Sequence, residues 1–172
     1  MFCVRHKKSK KVSSEKSHRS GSNSNPRSKT RPKKFTNKIS DHFSKKDFAC
    51  KDSGQFKISL GLVGILEELR SKIQKRIEIV KGFESLEVAE KRGKLKRNFH
   101  TMGLAADIRV DGMTPQELFT CVESIEGIAG IGLNVADNYV HIDTRKAERL
   151  CWVEEKNEEI ELTPENKSTY FG

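Results

Sequence analysis

The chain has 172 residues, 33 of them Lys or Arg and 24 Asp or Glu, for a formal charge of +9. That length suffices for one domain with its own core, yet only 34% of the residues are apolar and 33% are charged, so part of the chain is expected to stay outside that core. No stretch approaches the roughly 20 apolar residues of a membrane-spanning helix; the longest candidate lies around residues 60–65.

The charge is unevenly divided. Residues 1–38 hold 13 basic residues against one acid, Glu15, which leaves 20 basic and 23 acidic residues for 39–172. The segment is Ser, Lys and Arg with few aliphatic residues and no 3.6 or 2.0 period, and it reads as a disordered basic arm. Such an arm associates with nucleic acid or an anionic lipid surface by nonspecific charge neutralisation, or is a leader-like extension, or is a solvated tail with no partner. A secretory signal has an apolar region of about 7 to 15 residues after its positive charges, whereas Met1, Phe2 and Val4 precede them, so no export signal is readable. Cys3, Cys50, Cys121 and Cys151 share no C-x-x-C spacing, so neither a zinc ribbon nor a disulfide framework is expected.

Ordered structure is expected from near Ile39, in a span that includes Phe43, Phe48 and Phe56. Leu60, Val63, Leu66, Leu69 and Ile73 recur every three or four residues opposite Glu67, Glu68, Arg70 and Lys72, which predicts an amphipathic helix packed on a sheet. A short strand over 77–80 ends at Gly82, and 90–97 reads as a loop or frayed helix. Residues 104–110 alternate, with Leu104, Ala106, Ile108 and Val110 on one face and Ala105, Asp107 and Arg109 on the other. Asp111-Gly112 predicts a turn, and Thr114-Pro115-Gln116-Glu117 caps a helix through about Ile125. Strands follow around Ile131 and over 138–143, where Tyr139, His141 and Asp143 share a face. Residues 153–172 carry six acids, Glu154, Glu155, Glu158, Glu159, Glu161 and Glu165, and read as a solvated acidic tail; its attraction to the basic arm would be screened at physiological salt.

His100, Asp107, His141 and Asp143 are polar residues set among apolar neighbours. Two His and one carboxylate are the ligand set of a catalytic zinc site, with a fourth position open for water. Seven extended residues span roughly 23 Å, too far for ligands of one ion, so the chain must turn between His100 and Asp107, and Gly103 can take the positive φ of such a turn. His141 and Asp143 project about 6.6 Å apart from one strand face, so that one binds a metal while the other orients it. The competing reading is a buried His beside an Asp107 that pairs with Arg109 or Arg145.

The run His100-Thr101-Met102-Gly103-Leu104-Ala105-Ala106-Asp107 has the form H-x-x-G-x-A-x-D. It is followed by Gly130-Ile131-Gly132 and by Tyr139-Val140-His141-Ile142-Asp143-Thr144-Arg145, with Trp152 beyond. In this order the motifs resemble the zinc D-Ala-D-Ala carboxypeptidase family over about residues 39–152, and residues 39–44 and 48–51 resemble the opening segment of its small subgroup. The resemblance implies an α+β fold shared with Hedgehog signalling domains and VanX-type dipeptidases, an antiparallel sheet packed with helices. It also implies a zinc ion on His100, Asp107 and His141, and hydrolysis of peptide bonds in or near D-amino acids of peptidoglycan stem peptides. A wall peptidase belongs outside the inner membrane. The alternative is a noncatalytic zinc-binding relative that serves as a binding module.

Three positions depart from the family pattern. Lys81-Gly82-Phe83-Glu84 stands where S-G-Y-R is usual, so Glu84 occupies the position of a substrate-binding Arg, and Lys81, Arg97 and Arg145 are left as candidate substrate-binding cations. Asn98 replaces a Ser two residues before the first His. Asn138 stands where the dipeptidases have a Glu base, which leaves Asp143 as the candidate catalytic base, with Asp137 behind it.

Overall fold

The computed structural model describes residues 37–93, 98–156 and 158–172. The arm assigned to residues 1–38 lies, except for Asn37 and Lys38, outside the described residues, as does Arg97.

After an isolated bridge between Lys38 and Ser44, the elements in chain order are α1 (Lys45–Phe48), α2 (Leu60–Ile73), β1 (Ile77–Lys81), α3 (Leu86–Lys91), α4 (Phe99–Met102), β2 (Ala105–Val110), α5 (Pro115–Glu123), β3 (Gly130–Asn134), β4 (Tyr139–Asp143), β5 (Leu150–Glu155), β6 (Glu158–Glu161) and α6 (Pro164–Phe171). The strands form one six-stranded sheet in the order β1-β2-β4-β3-β5-β6, antiparallel except for the parallel pair β3 and β5. This is the α+β architecture expected. Among the described residues no helix is long and apolar enough to cross a membrane.

One face of the sheet forms the core. Ala106, Ile108 and Val110 of β2, Ile131 and Leu133 of β3, Val140 and Ile142 of β4 and Val153 of β5 are all buried, together with Leu62, Val63, Leu66 and Leu69 of α2 and Leu118, Phe119 and Val122 of α5. Each fully buried aliphatic side chain contributes roughly 1.5–3 kcal/mol, so the alternation of β2 and the helical period of α2 are selected together. The stripe of α2 differs from expectation at one end. Leu60, the first residue of α2, is 75% exposed while Leu62 is fully buried.

Residues 153–172 are not a solvated tail. Val153 pairs with Ile160 and Trp152 with Glu161 as β6 joins the sheet edge. Pro164 opens α6 behind a Thr163–Asn166 capping box, Phe171 packs 5.1 Å from the Phe119 ring, and Lys167 reaches Glu123 at 2.7 Å. Charge count alone misses this, since a few apolar anchors suffice where the glutamates can stay on the wet side of an edge strand.

The opening segment is tied to α2 by Glu67, which accepts the His42 backbone N–H at 2.9 Å and lies 2.6 Å from His42 Nδ1. Burial alone would raise the Glu67 carboxyl, but hydrogen bonds from Ser40 and His42 outweigh it and bring it from 4.5 to about 2. Its folded pKa is therefore below the unfolded one, so its contribution is complete above pH 4.5 and is lost as pH falls toward 2. Glu67→Gln is expected to cost about 1–2 kcal/mol at pH 7, a gap that closes between pH 4.5 and 2 in denaturant titrations; a gap independent of pH would contradict this role.

Candidate metal centre

The face opposite the core carries a transverse row of residues. Strand register aligns Lys81 of β1 with Asp107 of β2, Asp107 with His141 of β4, His141 with Gly132 of β3, and Gly132 with Trp152 of β5. Two ligand candidates, 34 positions apart in the chain, thus become direct cross-strand neighbours, whose Cβ atoms in a sheet lie about 4.5–5.5 Å apart.

His100 reaches the same point from α4. Asn98 caps this short helix by accepting the Thr101 N–H at 3.0 Å, while Thr101 Oγ1 accepts the Asn98 N–H at 2.9 Å. Ser and Asn both serve as N-caps, which explains why Asn98 can stand where Ser is usual. Gly103 ends the helix at φ 72, and a Cβ there would lie 2.9 Å from the Lys57 carbonyl oxygen. The turn inferred from the spacing of His100 and Asp107 is therefore at Gly103.

His100 Nε2, Asp107 Oδ1 and His141 Nδ1 converge, with all ligand atoms within 4.8 Å of one another. The separations are 2.7 Å for His141 to Asp107, 3.2 Å between the imidazoles and 3.3 Å for His100 to Asp107. Tetrahedral zinc with bonds of 2.0–2.1 Å requires ligand separations of about 3.3 Å; the two separations from His100 match this, while His141 and Asp107, at hydrogen-bond distance, would part by about 0.6 Å to admit an ion. Each imidazole is oriented from behind. His100 Nδ1 lies 2.8 Å from Gly82 O, which places the ring proton on Nδ1 and frees Nε2. His141 Nε2 faces Asp143 Oδ2 at 3.5 Å, which leaves Nδ1 for the metal.

Electrostatics support the same grouping. Burial alone would raise the Asp107 carboxyl, but His100 and His141 outweigh it and hold the group well below the usual carboxylate range. Burial likewise opposes a charged His141, yet hydrogen bonds to Asp107 and Asp143 push it up to about 9. Asp107 pairs with neither of the arginines considered: Arg109 is held by Glu78 at 2.9 Å, and Arg145 by Asp143.

The centre opens into a cleft of about 530 Å3 lined by Lys81, Phe99, Tyr139, Arg145, Trp152, Glu154 and Glu159. Lys81 and Arg145 therefore reach the cleft. Asp143 does not line it: its side chain is fully buried behind His141, and both of its oxygens accept from Arg145 Nε at 2.9 and 3.0 Å. Asp137 accepts from Asn134 in the β3–β4 turn, and Asn138 faces a separate surface cavity with Arg109. Glu84 is 1% exposed and also lies outside the cleft. Glu154, Glu159 and Phe99 were missed from the sequence; Glu154 shares the face of Trp152 by its period of two, and that was the available signal.

The motif glycines follow from this packing. A Cβ on Gly132 would lie 2.6 Å from the Trp152 ring, which is 5.3 Å from the His141 ring. A Cβ on Gly130 would collide with the Asp143 carboxylate. The sequence profile described as Peptidase M15 matches residues 36–143, more than half of the chain. The chain belongs to the peptidase M15 family. This M15 chain is also similar to the peptidoglycan L,D-endopeptidase MepK of Escherichia coli K12, at 29% identity over 79 residues that make up 43% of each protein, and to that of Shigella flexneri to the same extent. The match spans less than half the length of these relatives. Trp152 and Glu154 of this M15 chain lie beyond the matched residues, on a strand held to the centre through Gly132.

If this M15 centre holds a divalent ion, elemental analysis of the purified protein will find about one per chain, and His141→Ala will lose it. Gly132→Ala keeps all three ligands but drives Trp152 against His141, and is expected to weaken metal binding by about 10- to 100-fold in competition with a chromophoric chelator. Equal, negligible metal in all three proteins would remove the assignment.

Proposed function

We propose that the protein is a zinc-dependent peptidase acting on peptidoglycan stem peptides. The observation that carries this reading is the convergence of His100, Asp107 and His141 at the floor of an open cleft in an M15 chain. Two imidazoles and one carboxylate suit zinc better than magnesium or calcium, which prefer oxygen ligands. A zinc ion held there would supply a water of lowered pKa and polarise the scissile carbonyl.

The chain's own groups supply the rest. Gly82 O and Asp143 keep the two imidazoles in the orientations described above. We assign the general base to Glu154, a cleft carboxylate whose Oε2 accepts from Tyr139 Oη at 2.8 Å and from Asn134 at 3.2 Å; these bonds fix its rotamer and leave Oε1 to receive a proton. Asp143 is less suited, since it is walled off from water and held by Arg145. Arg145 itself stacks 4.5 Å from the Phe99 ring centroid and 5.4 Å from that of Trp152, a rigid platform whose outer N–H groups can meet a substrate carboxylate. The cations Lys81 and Arg145 support removal of a terminal D-residue, as in the carboxypeptidases, whereas the name of the MepK relatives supports cleavage of an internal L,D bond. Asn138 and Glu84, in place of the usual base and Arg, favour the alternative to both, a noncatalytic binding module.

Incubation of the zinc-loaded protein with a defined muropeptide panel, read by mass spectrometry, separates these readings. Hydrolysis is expected, and Glu154→Gln should slow it by about 10²- to 10⁴-fold with zinc content unchanged. Intact muropeptides with the wild type would leave only the binding module.

A further inference from the structure

Glu84 is a buried carboxylate that the chemistry above does not use. It lines a second cavity of about 190 Å3 beside the metal cleft, with Cys50, Gly82 and Val88, and Lys81 lines both. Glu84 Oε1 lies 3.2 Å from Lys81 Nζ and 3.3 Å from Arg92 Nη1. Arg92 is anchored in turn on Asp52 at 3.0 Å. The Lys81 side chain is 23% exposed and that of Glu84 only 2%, so the carboxylate is at the back and the ammonium at the cleft wall.

We infer, on the basis of the peptidase reading, that Glu84 is a positioning residue that braces Lys81 as the group selecting substrates with a free carboxylate. A free lysine chain loses up to about 2 kcal/mol of rotamer freedom when a ligand immobilises it; a chain already held by Glu84 loses less. An ammonium has three donors, and the ion pair with Glu84 Oε1 at 3.2 Å engages at most one, so the others remain for an anion in the cleft. Glu84 is poorly placed to swing away, because a buried carboxylate stripped of its cations is costly. The charge reversal at position 84 therefore leaves cationic recognition in the cleft, three residues earlier in the chain. Arg145, which also lines the cleft, is arranged the same way, with buried Asp143 behind it, which makes a braced cation a repeated device in this cleft.

The test compares binding of a stem tetrapeptide ending in a free D-Ala carboxylate with its C-terminal amide, by calorimetry on zinc-loaded protein at 0.15 M salt. Wild type is expected to prefer the acid by about tenfold, the worth of one charge-assisted hydrogen bond. Lys81→Met should abolish the preference, Glu84→Gln should cut it to below about threefold, and the double variant should match Lys81→Met, because Glu84 acts through Lys81. An undiminished preference in Glu84→Gln, or losses that add in the double variant, would overturn the inference. Acetic anhydride labelling read by mass spectrometry follows the brace without any peptide: Lys81 should become several-fold more reactive in Glu84→Gln, while an unchanged rate would refute the brace. Zinc content is measured in each variant, so a collapsed centre is not mistaken for lost selectivity. Absence of hydrolysis of any muropeptide by the wild type would count against the peptidase reading alone, while the acid-over-amide preference would still decide the role of Glu84.

Discussion

The register between β2 and β4 is the constraint on which the rest of the site depends. Pairing Asp107 with His141 brings a carboxylate and an imidazole from distant parts of the chain to one point on the sheet. A slip of β4 by one residue would turn His141 away from Asp107 into the core, and the same slip would turn Val140 and Ile142 out of it. The hydrophobic face and the metal face are therefore specified by one choice. Burial energy from the core thus holds two of the three candidate ligands in place.

The third candidate ligand, His100, depends on a different device, close backbone approach. His100 is on a helix of four residues, too short to hold a geometry by itself. It is positioned by its bond to Gly82 O and by the tight turn at Gly103. Gly82 in turn lies against Phe48, where a Cβ would fall 2.6 Å from the Phe48 backbone, and the Phe83 N–H donates to Phe48 O at 2.8 Å. Phe48 thus supports the candidate centre through Gly82 and Phe83, although its side chain does not enter the cleft. Both glycines of the G-I-G motif make room in the same way, one for the Asp143–Arg145 pair and one for Trp152.

The charges around the centre are arranged in layers. Arg145 has Asp143 behind it and Lys81 has Glu84, so each cation at the cleft wall is backed by a buried anion. Lone buried charges are expensive, and paired ones are better tolerated, although Glu84 Oε2 is left without a hydrogen-bond partner. The arrangement lets the cleft show cationic groups to a substrate without leaving uncompensated charge in the sheet. It also accounts for the position of Asp143: a carboxylate committed to His141 and Arg145 orients those groups, whereas Glu154 lines the cleft itself.

Much of this was legible in the sequence because it is local. Alternation in 104–110, the period of 60–73, the Thr114 cap and the need for a turn at Gly103 are all relations between residues a few positions apart, and they are expressed in the chain directly. The same reasoning singled out His100, Asp107 and His141, which the structure brings together. What the tertiary structure decided depends on which strands become neighbours. The parallel pairing of β3 with β5 put Trp152 and Glu154 at the centre, the burial of Glu84 behind Lys81 removed it from the cleft, and the addition of β6 converted an acidic segment into an edge strand and helix. Sequence spacing determines which side of its own strand a residue faces, but not what lies opposite, because that is set by the packing of distant segments over a shared core.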